Sequence, residues 1–455
     1  MKKSKLYLAI GVIVLAPLGA SANSLQEIYA LALQNDSQLK ADKAGYEAGS
    51  ENAGIARAGL LPQINAGYNY NKNNSDLTNN LLNSTSKSDS AKTGWDISLR
   101  QPLFDMSAWY VYKQGQKLSE QAEAQFGADQ QSLIVRVMTA YFNVLSAIDK
   151  LEAASSEEKA LEHQLEQTKQ RFDVGLIAIT DVHDSQAAYD SAMAATLDAR
   201  GKLSISFEAL EVLTGKPEDS IATLSEKFPV LNPTPLDRAE WVNFALKNNY
   251  NLKATKLKAE AAASNADATR AGHYPTVNAT LGYSDSNSTN ETSGLRDLDR
   301  DTKGSSVTIG LEVPIYSGGR TSSRTRQAVS QELQTQELFN GAQRSTIQST
   351  RALHLSVETD VALVQARKQA IVSNQSALDA TQSGYEVGTR NLVEVLLAQR
   401  NLYKARSDYS DALYNYVIDS IKLREVAGML TPADVQEIDR WLKPGANVKR
   451  NEFTK

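Results

Sequence analysis

The sequence predicts a mainly α chain that carries four membrane-type β-strands and is built from two tandem structural repeats. Three observations predict this. First, "RFDVGLIAITDV" at 171–182 returns as "GYEVGTRNLVEV" at 384–395, and other stretches recur in the same order at an offset of 212 or 213 residues. Second, each copy holds a helical pattern of roughly 67 residues with an apolar seam every 3.5 residues. Third, four stretches of about ten residues alternate apolar and polar side chains, the length and period that cross an outer membrane at a tilt.

The chain has 455 residues and opens with "MKKSKLYLAIGVIVLAPLGASA". A basic start, a short apolar run and the small residues Ala20, Ser21 and Ala22 predict a secretory signal peptide over 1–22. Its removal takes away three lysines and no acid, so the formal charge falls from −5 to −8. That acidity argues against nucleic acid as a partner. Cysteine is absent from the sequence, so an exported chain has no disulfide framework and no thiolate chemistry. No later segment has the roughly 18 uninterrupted apolar residues of a membrane helix.

The first repeat is expected over 23–215. "ALQNDSQLKADK" from Ala32 corresponds to "ALKNNYNLKATK" from Ala245, "LPQINAGYNY" from Leu61 to "YPTVNATLGY" from Tyr274, Pro102 to Pro314, and Gly215 to Gly428. Helix-like stretches are predicted near 24–58 and 237–272, very long helices near 107–173 and 320–386, and helices near 180–214 and 391–427. The seam of the first long helix runs Val137, Val144, Leu151, Glu158, Leu165, Phe172, with Ala140, Ala147 and Ala154 on the other seam. That of the second runs Thr350, Val357, Val364, Ile371, Leu378, Tyr385. At 1.5 Å per residue each would be roughly 100 Å long. An ordinary amphipathic core helix is the competing reading, but such helices rarely pass about 20 residues.

Strands are predicted near 61–70, 93–103, 274–284 and 304–316. Ile64, Ala66, Tyr68 and Tyr70 alternate with polar residues, as do Trp95, Ile97 and Leu99; Val277, Ala279, Leu281 and Tyr283; and Val307, Ile309, Leu311 and Val313. Trp95, Phe104, Tyr70, Tyr274, Tyr283 and Tyr316 lie near strand ends, where aromatic girdles sit. The polar stretches between paired strands, 71–92 and 284–304, read as surface loops. A small soluble sheet with one wet face remains the alternative. Four strands cannot close a membrane barrel, because edges open to lipid are not tolerated. Two chains would supply eight strands and three twelve, and periodicity does not choose. A connector over 216–235, the second repeat over 236–428 and a C-terminal segment over 429–455 complete the order.

Gly175 and Gly388 suit the left-handed end of a helix, and Thr180 and Asn391 suit the start of the next. Asn391 and Glu394 have the spacing of a capping box. Catalysis is poorly supported. His163, His183, His273 and His354 form no helix-face metal pair, Gly215-Lys216 lacks the frame of a phosphate loop, and there is no nucleophile elbow. No cofactor or structural metal is expected. A coiled-coil adaptor or surface scaffold without a pore is the alternative to a transport duct.

"LLPQ", "QPLFDMSAW", "TAYFNVLSAID", "RFDVGLIAITDV", "VPIYSGGR", "SGYEVGTR" and "ALYNYVI" resemble the TolC-like outer-membrane efflux proteins over nearly all of the mature chain. The resemblance implies a homotrimer whose twelve strands form one barrel in outer-membrane lipid and whose helices form a periplasmic tunnel, with 216–235 and the C-terminal segment as a belt. It implies a passive exit duct for drugs, small toxic molecules or secreted proteins, served by a periplasmic adaptor and an inner-membrane pump of RND or ABC type. It places Arg390 and Tyr385 against Thr180, Asp181 and Gln164 as a gate latch, with a hydrogen bond from Arg390 to Asp181. It assigns Val174, Gly175, Leu176, Val387, Gly388 and Thr389 to the adaptor. At the constriction, where the family's well-known members carry two acids, this chain has Glu394 and Leu397.

Overall fold

The computed structural model describes residues 24–79, 84–218, 220–292 and 298–449. The proposed signal peptide and residues 80–83 and 293–297 lie outside the described residues. The chain divides into two compact units. One comprises Met1–Lys40, Gln130–Phe244 and Ser349–Lys455; the other comprises Ala41–Asp129 and Ala245–Gln348.

The elements run α1 (Leu25–Asn35), α2 (Ser37–Ser50), α3 (Asn52–Ala58), β1 (Gln63–Asn79), β2 (Ser84–Phe104), α4 (Met106–Asp173), α5 (Ile179–Thr214), β3 (Ser220–Leu224), α6 (Arg238–Asn248), α7 (Tyr250–Ala271), β4 (Thr276–Thr292), β5 (Leu298–Glu312), α8 (Arg320–Glu386), α9 (Leu392–Val426), α10 (Pro432–Asp439) and β6 (Leu442–Lys449). Two expectations need correction. The helix-like stretch at 24–58 is three helices and that at 237–272 is two. One break, at Glu51, has no side-chain cap; the other two fall at Asp36, whose carboxylate accepts from Leu39 N at 2.6 Å, and at Asn249, which accepts from Leu252 N at 2.8 Å. Short polar side chains that satisfy a helix's free N–H groups start a new helix there. The supposed surface loops are mostly strand. β1 and β2 pair continuously from Gln63↔Arg100 to Asn79↔Ser84, and β4 and β5 pair from Thr276↔Glu312 to Asn290↔Leu298. Backbone ladders need no apolar face, and hydrophobic alternation cannot reveal a strand that is polar on both sides.

The second unit contains a four-stranded antiparallel sheet of order β1-β2-β4-β5. Its registers line up across all four strands. Ile64, Leu99, Leu281 and Val307 form one row; on the opposite face Asn65, Ser98, Gly282 and Ser306 form the next. The apolar face is uncovered in the single chain: Ile64, Val307 and Ile309 are each about 70 % exposed or more. Trp95 and Tyr283, with ring centroids 5.3 Å apart, mark the end of this apolar belt. Because the ladder continues beyond them, they are not at the strand ends. Small residues set the helix spacing in this unit. A Cβ on Gly115 would meet Asn52 O and Ala56 Cβ at 2.7 Å, and one on Gly49 would meet Ala122 Cβ at 2.5 Å.

The first unit is cored by Leu133, Val137, Tyr141, Phe142, Val144 and Phe207, all 1 % exposed or less. The most apolar stretch of α4 is mostly buried, which makes it a core helix. β3 pairs with β6, so the connector and the C-terminal segment meet in one small sheet that sequence patterning did not reveal. Tyr141 Oη donates to Ala222 O at 2.6 Å, and Gln131 donates to Leu430 O at 2.8 Å, tying both segments to α4.

Candidate functional site at the two helix turns

α4 and α8 end in the same way. Gly175 N bonds to Phe172 O at 2.8 Å and Leu176 N to Arg171 O at 2.9 Å; Gly388 N bonds to Tyr385 O at 3.1 Å and Thr389 N to Gly384 O at 2.8 Å. These are paired 5→2 and 6→1 bonds, the Schellman arrangement that satisfies the last carbonyls of a helix. Both glycines have φ of 79°, a left-handed conformation that costs an L side chain about 1–2 kcal/mol. The turn is therefore written by glycine at two places in the sequence. It leaves Val174, Leu176 and Val387 at least 70 % exposed, an apolar tip with no cover in the single chain.

The helix starts that follow differ. Asn391 caps α9, accepting from Glu394 N at 2.9 Å, as its spacing predicted. Thr180 does not cap α5. Ala178 occupies the cap position without a side-chain bond, and α5 starts at Ile179, so Thr180 lies inside the first turn. The reciprocal half of the expected capping box is replaced, because the Glu394 carboxylate accepts from Arg390 at 2.7 Å. In the single chain Arg390, just before the α9 cap, thus pairs with Glu394 in the first turn of α9 rather than with Asp181. Its side chain lies over Gly384, where an added Cβ would meet Arg390 Cγ at 2.6 Å.

Near its turn α4 buries Leu161 and Leu165 together with polar groups. Ser185 donates to Thr168 Oγ1 at 3.2 Å, and Thr168 donates to Gln164 O at 2.7 Å, with Gln164 5 % exposed. Along α9 Leu392, Val395 and Leu402 are all 3 % exposed or less, with Gln399 buried among them. Glu394 and Leu397 project from α9 one turn apart, and Leu397 is 53 % exposed.

One residue here was not singled out in the sequence. The Arg171 guanidinium lies 5.0 Å from the centre of the Tyr385 ring, a cation–π distance that joins the end of α4 to the end of α8. The two residues line an open cavity of about 440 Å³ with Gln167, Gln170, Val174, Gln382 and Glu386. Tyr385 Oη is buried without a hydrogen-bond partner. At the 213-residue offset Arg171 corresponds to Gly384, so the arginine has no counterpart in the second copy. Among the described residues no group of three or more His, Cys, Asp or Glu side chains could hold a metal ion.

The sequence profile of the outer membrane efflux protein family matches residues 28–216 and 241–429. The chain is 36 % identical over 427 residues to the outer membrane protein TolC of Vibrio cholerae, covering 93 % of this chain and 94 % of that one. It is 29 % identical over 442 residues to the alkaline protease secretion protein AprF of Pseudomonas aeruginosa, covering 96 % and 91 %. Its fold is similar to that of the Campylobacter jejuni CmeC outer membrane channel, with a TM-score of 0.75 at 16 % identity, covering 92 % of this chain and 90 % of that one.

Proposed function

The chain belongs to the outer membrane efflux protein family, and from that premise we propose that it is the exit duct of a tripartite export system. It is an outer-membrane protein and not an enzyme. One observation supports this reading above the others: a sheet with a bare apolar face passes within two residues into a helix of 68, since β2 ends at Phe104 and α4 begins at Met106. A membrane-crossing segment and a helix about 100 Å long on one strand of chain suit a conduit better than a surface scaffold.

The sheet supports a shared barrel. β1 and β5 are its outer strands, each with a free ladder edge, and an open edge in lipid leaves backbone groups unsatisfied. Three copies joined β5 to β1 would make twelve strands, and the family resemblance favours three over two. The recurrence of helices, strand pair, long helix, turn and helix supports an origin by duplication. An exposed apolar row on α5, formed by Met193, Leu197, Ile205 and Val212, supplies a helix surface for the neighbouring copy.

At the turns, Val174, Gly175, Leu176, Val387, Gly388 and Thr389 would meet the periplasmic adaptor. Arg390, Tyr385, Thr180, Asp181 and Gln164 would hold the duct shut, with Arg390 exchanging Glu394 for an Asp181 carboxylate between hairpins. Glu394 and Leu397 would line the narrowest passage. Energy would come from an inner-membrane pump. The similarity to the alkaline protease secretion protein AprF supports secreted protein as one cargo, and membership of the efflux family supports small-molecule efflux as another. Deleting the gene and measuring drug sensitivity and protein export side by side tests the reading. Loss of either on deletion, restored by the intact gene, is the expected result; a deletion strain normal in both would contradict it.

A further inference from the structure

The apolar column on the outer face of β5 does not stop at the strand. Val307, Ile309, Leu311, Val313 and Ile315 succeed one another at period two and are 75, 69, 67, 52 and 94 % exposed. Tyr316 follows at 86 %. Four strand intervals of about 3.4 Å carry the column about 14 Å from Val307 to Leu311, and Val313 and Ile315 extend the exposed apolar surface beyond the end of β5 at Glu312. The left-handed Gly318 and Gly319, with φ of 63° and 78°, then turn the chain into α8. Its first seven residues carry Arg320, Arg324 and Arg326, all exposed.

These arginines have no carboxylate partner in any ion pair among the described residues; Arg326 donates only to Ser323 Oγ, at 3.0 Å. The first turn of α8 holds no acid, and a helix start is where the macrodipole disfavours positive charge. Helix stability therefore does not account for them. The nearest acids along the chain are Glu312, on the other face of β5 by alternation, and Glu332, more than one turn beyond Arg326 on α8, and neither forms an ion pair with these arginines among the described residues. At 1.5 Å per residue the three lie within about 9 Å of the helix start, and a headgroup layer is about 5–8 Å deep. Lys113, packed over the Trp109 and Tyr110 rings at 5.8 and 5.4 Å, stands at the corresponding depth on α4. A chain that is acidic overall thus presents a cationic step where its apolar column ends.

We propose that Arg320, Arg324 and Arg326 form a binding surface for anionic phospholipid headgroups in the leaflet at the helical end of the sheet, with Ile315 and Tyr316 set among the adjoining acyl chains. The proposal rests on the sheet crossing the membrane. Its chemistry is that of an interfacial aromatic followed by guanidinium groups, which bind phosphate through paired N–H donors.

The full chain is reconstituted into nanodiscs of phosphatidylethanolamine with and without phosphatidylglycerol. Lipid retained after mild detergent extraction is then identified by mass spectrometry. The wild type is expected to retain phosphatidylglycerol in preference. A variant with Arg320→Gln, Arg324→Gln and Arg326→Gln should lose that preference by about fivefold for each charge removed. The matching triple lysine variant should keep most of it, which separates charge from folding. Equal retention of both lipids by the wild type, or an unchanged preference in the glutamine variant, overturns the proposal. So does loss of oligomer in the glutamine variant that is equal in both lipid mixtures, since the arginines would then face another copy. Failure of the wild type to enter nanodiscs at all would instead remove the membrane placement on which the proposal stands.

Discussion

Gly175 and Gly388 owe their place to backbone conformation alone, because a Cβ added at either would meet nothing within 4 Å. Alanine at each should therefore cost about 1–2 kcal/mol from the left-handed φ and lower the thermal midpoint without disturbing packing, as circular dichroism of the detergent-solubilised protein can measure. Asp360 on α8 shows a different kind of single-residue control. Burial, followed by the charge of Asp419, pushes its carboxyl up to about 6, and one of its oxygens is buried without a partner. Since the folded pKa lies above the ordinary value of 3.8, the folded chain holds this proton where the unfolded chain has lost it. Its stabilising effect is present below about pH 4 and is lost as pH rises through about 6. Melting curves across that range should show stability falling with rising pH, and Asp360→Asn should flatten the slope. A slope unchanged by Asp360→Asn would mean that another group carries it.

Helices were the legible elements. The boundaries expected for α4, α5, α8 and α9 agree with the structure to within about two residues, because in α4 and α8 a seam sustained over about ten turns leaves few alternatives. The seams are not equally covered. Val357 and Val364 of α8 are buried, but Ile371, Leu378 and Tyr385 nearer the turn are only half-buried in the single chain, as suits a helix that meets further helices there. Illegible features had physical reasons. The outer halves of the strands are polar on both faces, β3 and β6 pair across more than 200 residues, and Ala178 rather than Thr180 precedes α5 because each cap falls three residues after its glycine, Ala178 after Gly175 as Asn391 after Gly388. In the site, the glycine turns and the Asn391 cap were readable from local spacing. The Arg390–Glu394 pair and the Arg171–Tyr385 stack depend on side-chain direction and on tertiary contact. α9 carries a prediction of its own. With Glu394 and Leu397 on one face, three copies would place three carboxylates around the passage, a ring that attracts multivalent cations. Leu397→Asp should make block by trivalent ions tighter in planar bilayers, and Glu394→Gln should weaken it. An unchanged blocking concentration in Leu397→Asp would remove both residues from the constriction.

At the scale of the molecule, the single chain is conspicuously incomplete. Its sheet has two free edges, the sheet's apolar face is bare, and the apolar tips at Val174, Leu176 and Val387 are uncovered. Lipid, further copies of the chain and an adaptor would cover these in turn. The sequence announced the incompleteness, since four strands are too few for a barrel, but the number of copies came from resemblance rather than from periodicity. What the whole assembly would add is a gate, closed where the hairpins converge. The contacts available to it are few and individually modest, about 1 kcal/mol for a neutral hydrogen bond and about 1.5–3 for one to a charged group, so symmetry must multiply them. The most direct measurement is single-channel conductance of the reconstituted full chain, wild type against the double variant Arg390→Glu with Tyr385→Phe. The wild type should conduct weakly and the variant, shown to be folded and oligomeric, should conduct several-fold more, because repulsion from Asp181 and Glu394 replaces attraction. Equal conductance in the two would contradict a gate at these turns, and no conductance from either would contradict the duct itself.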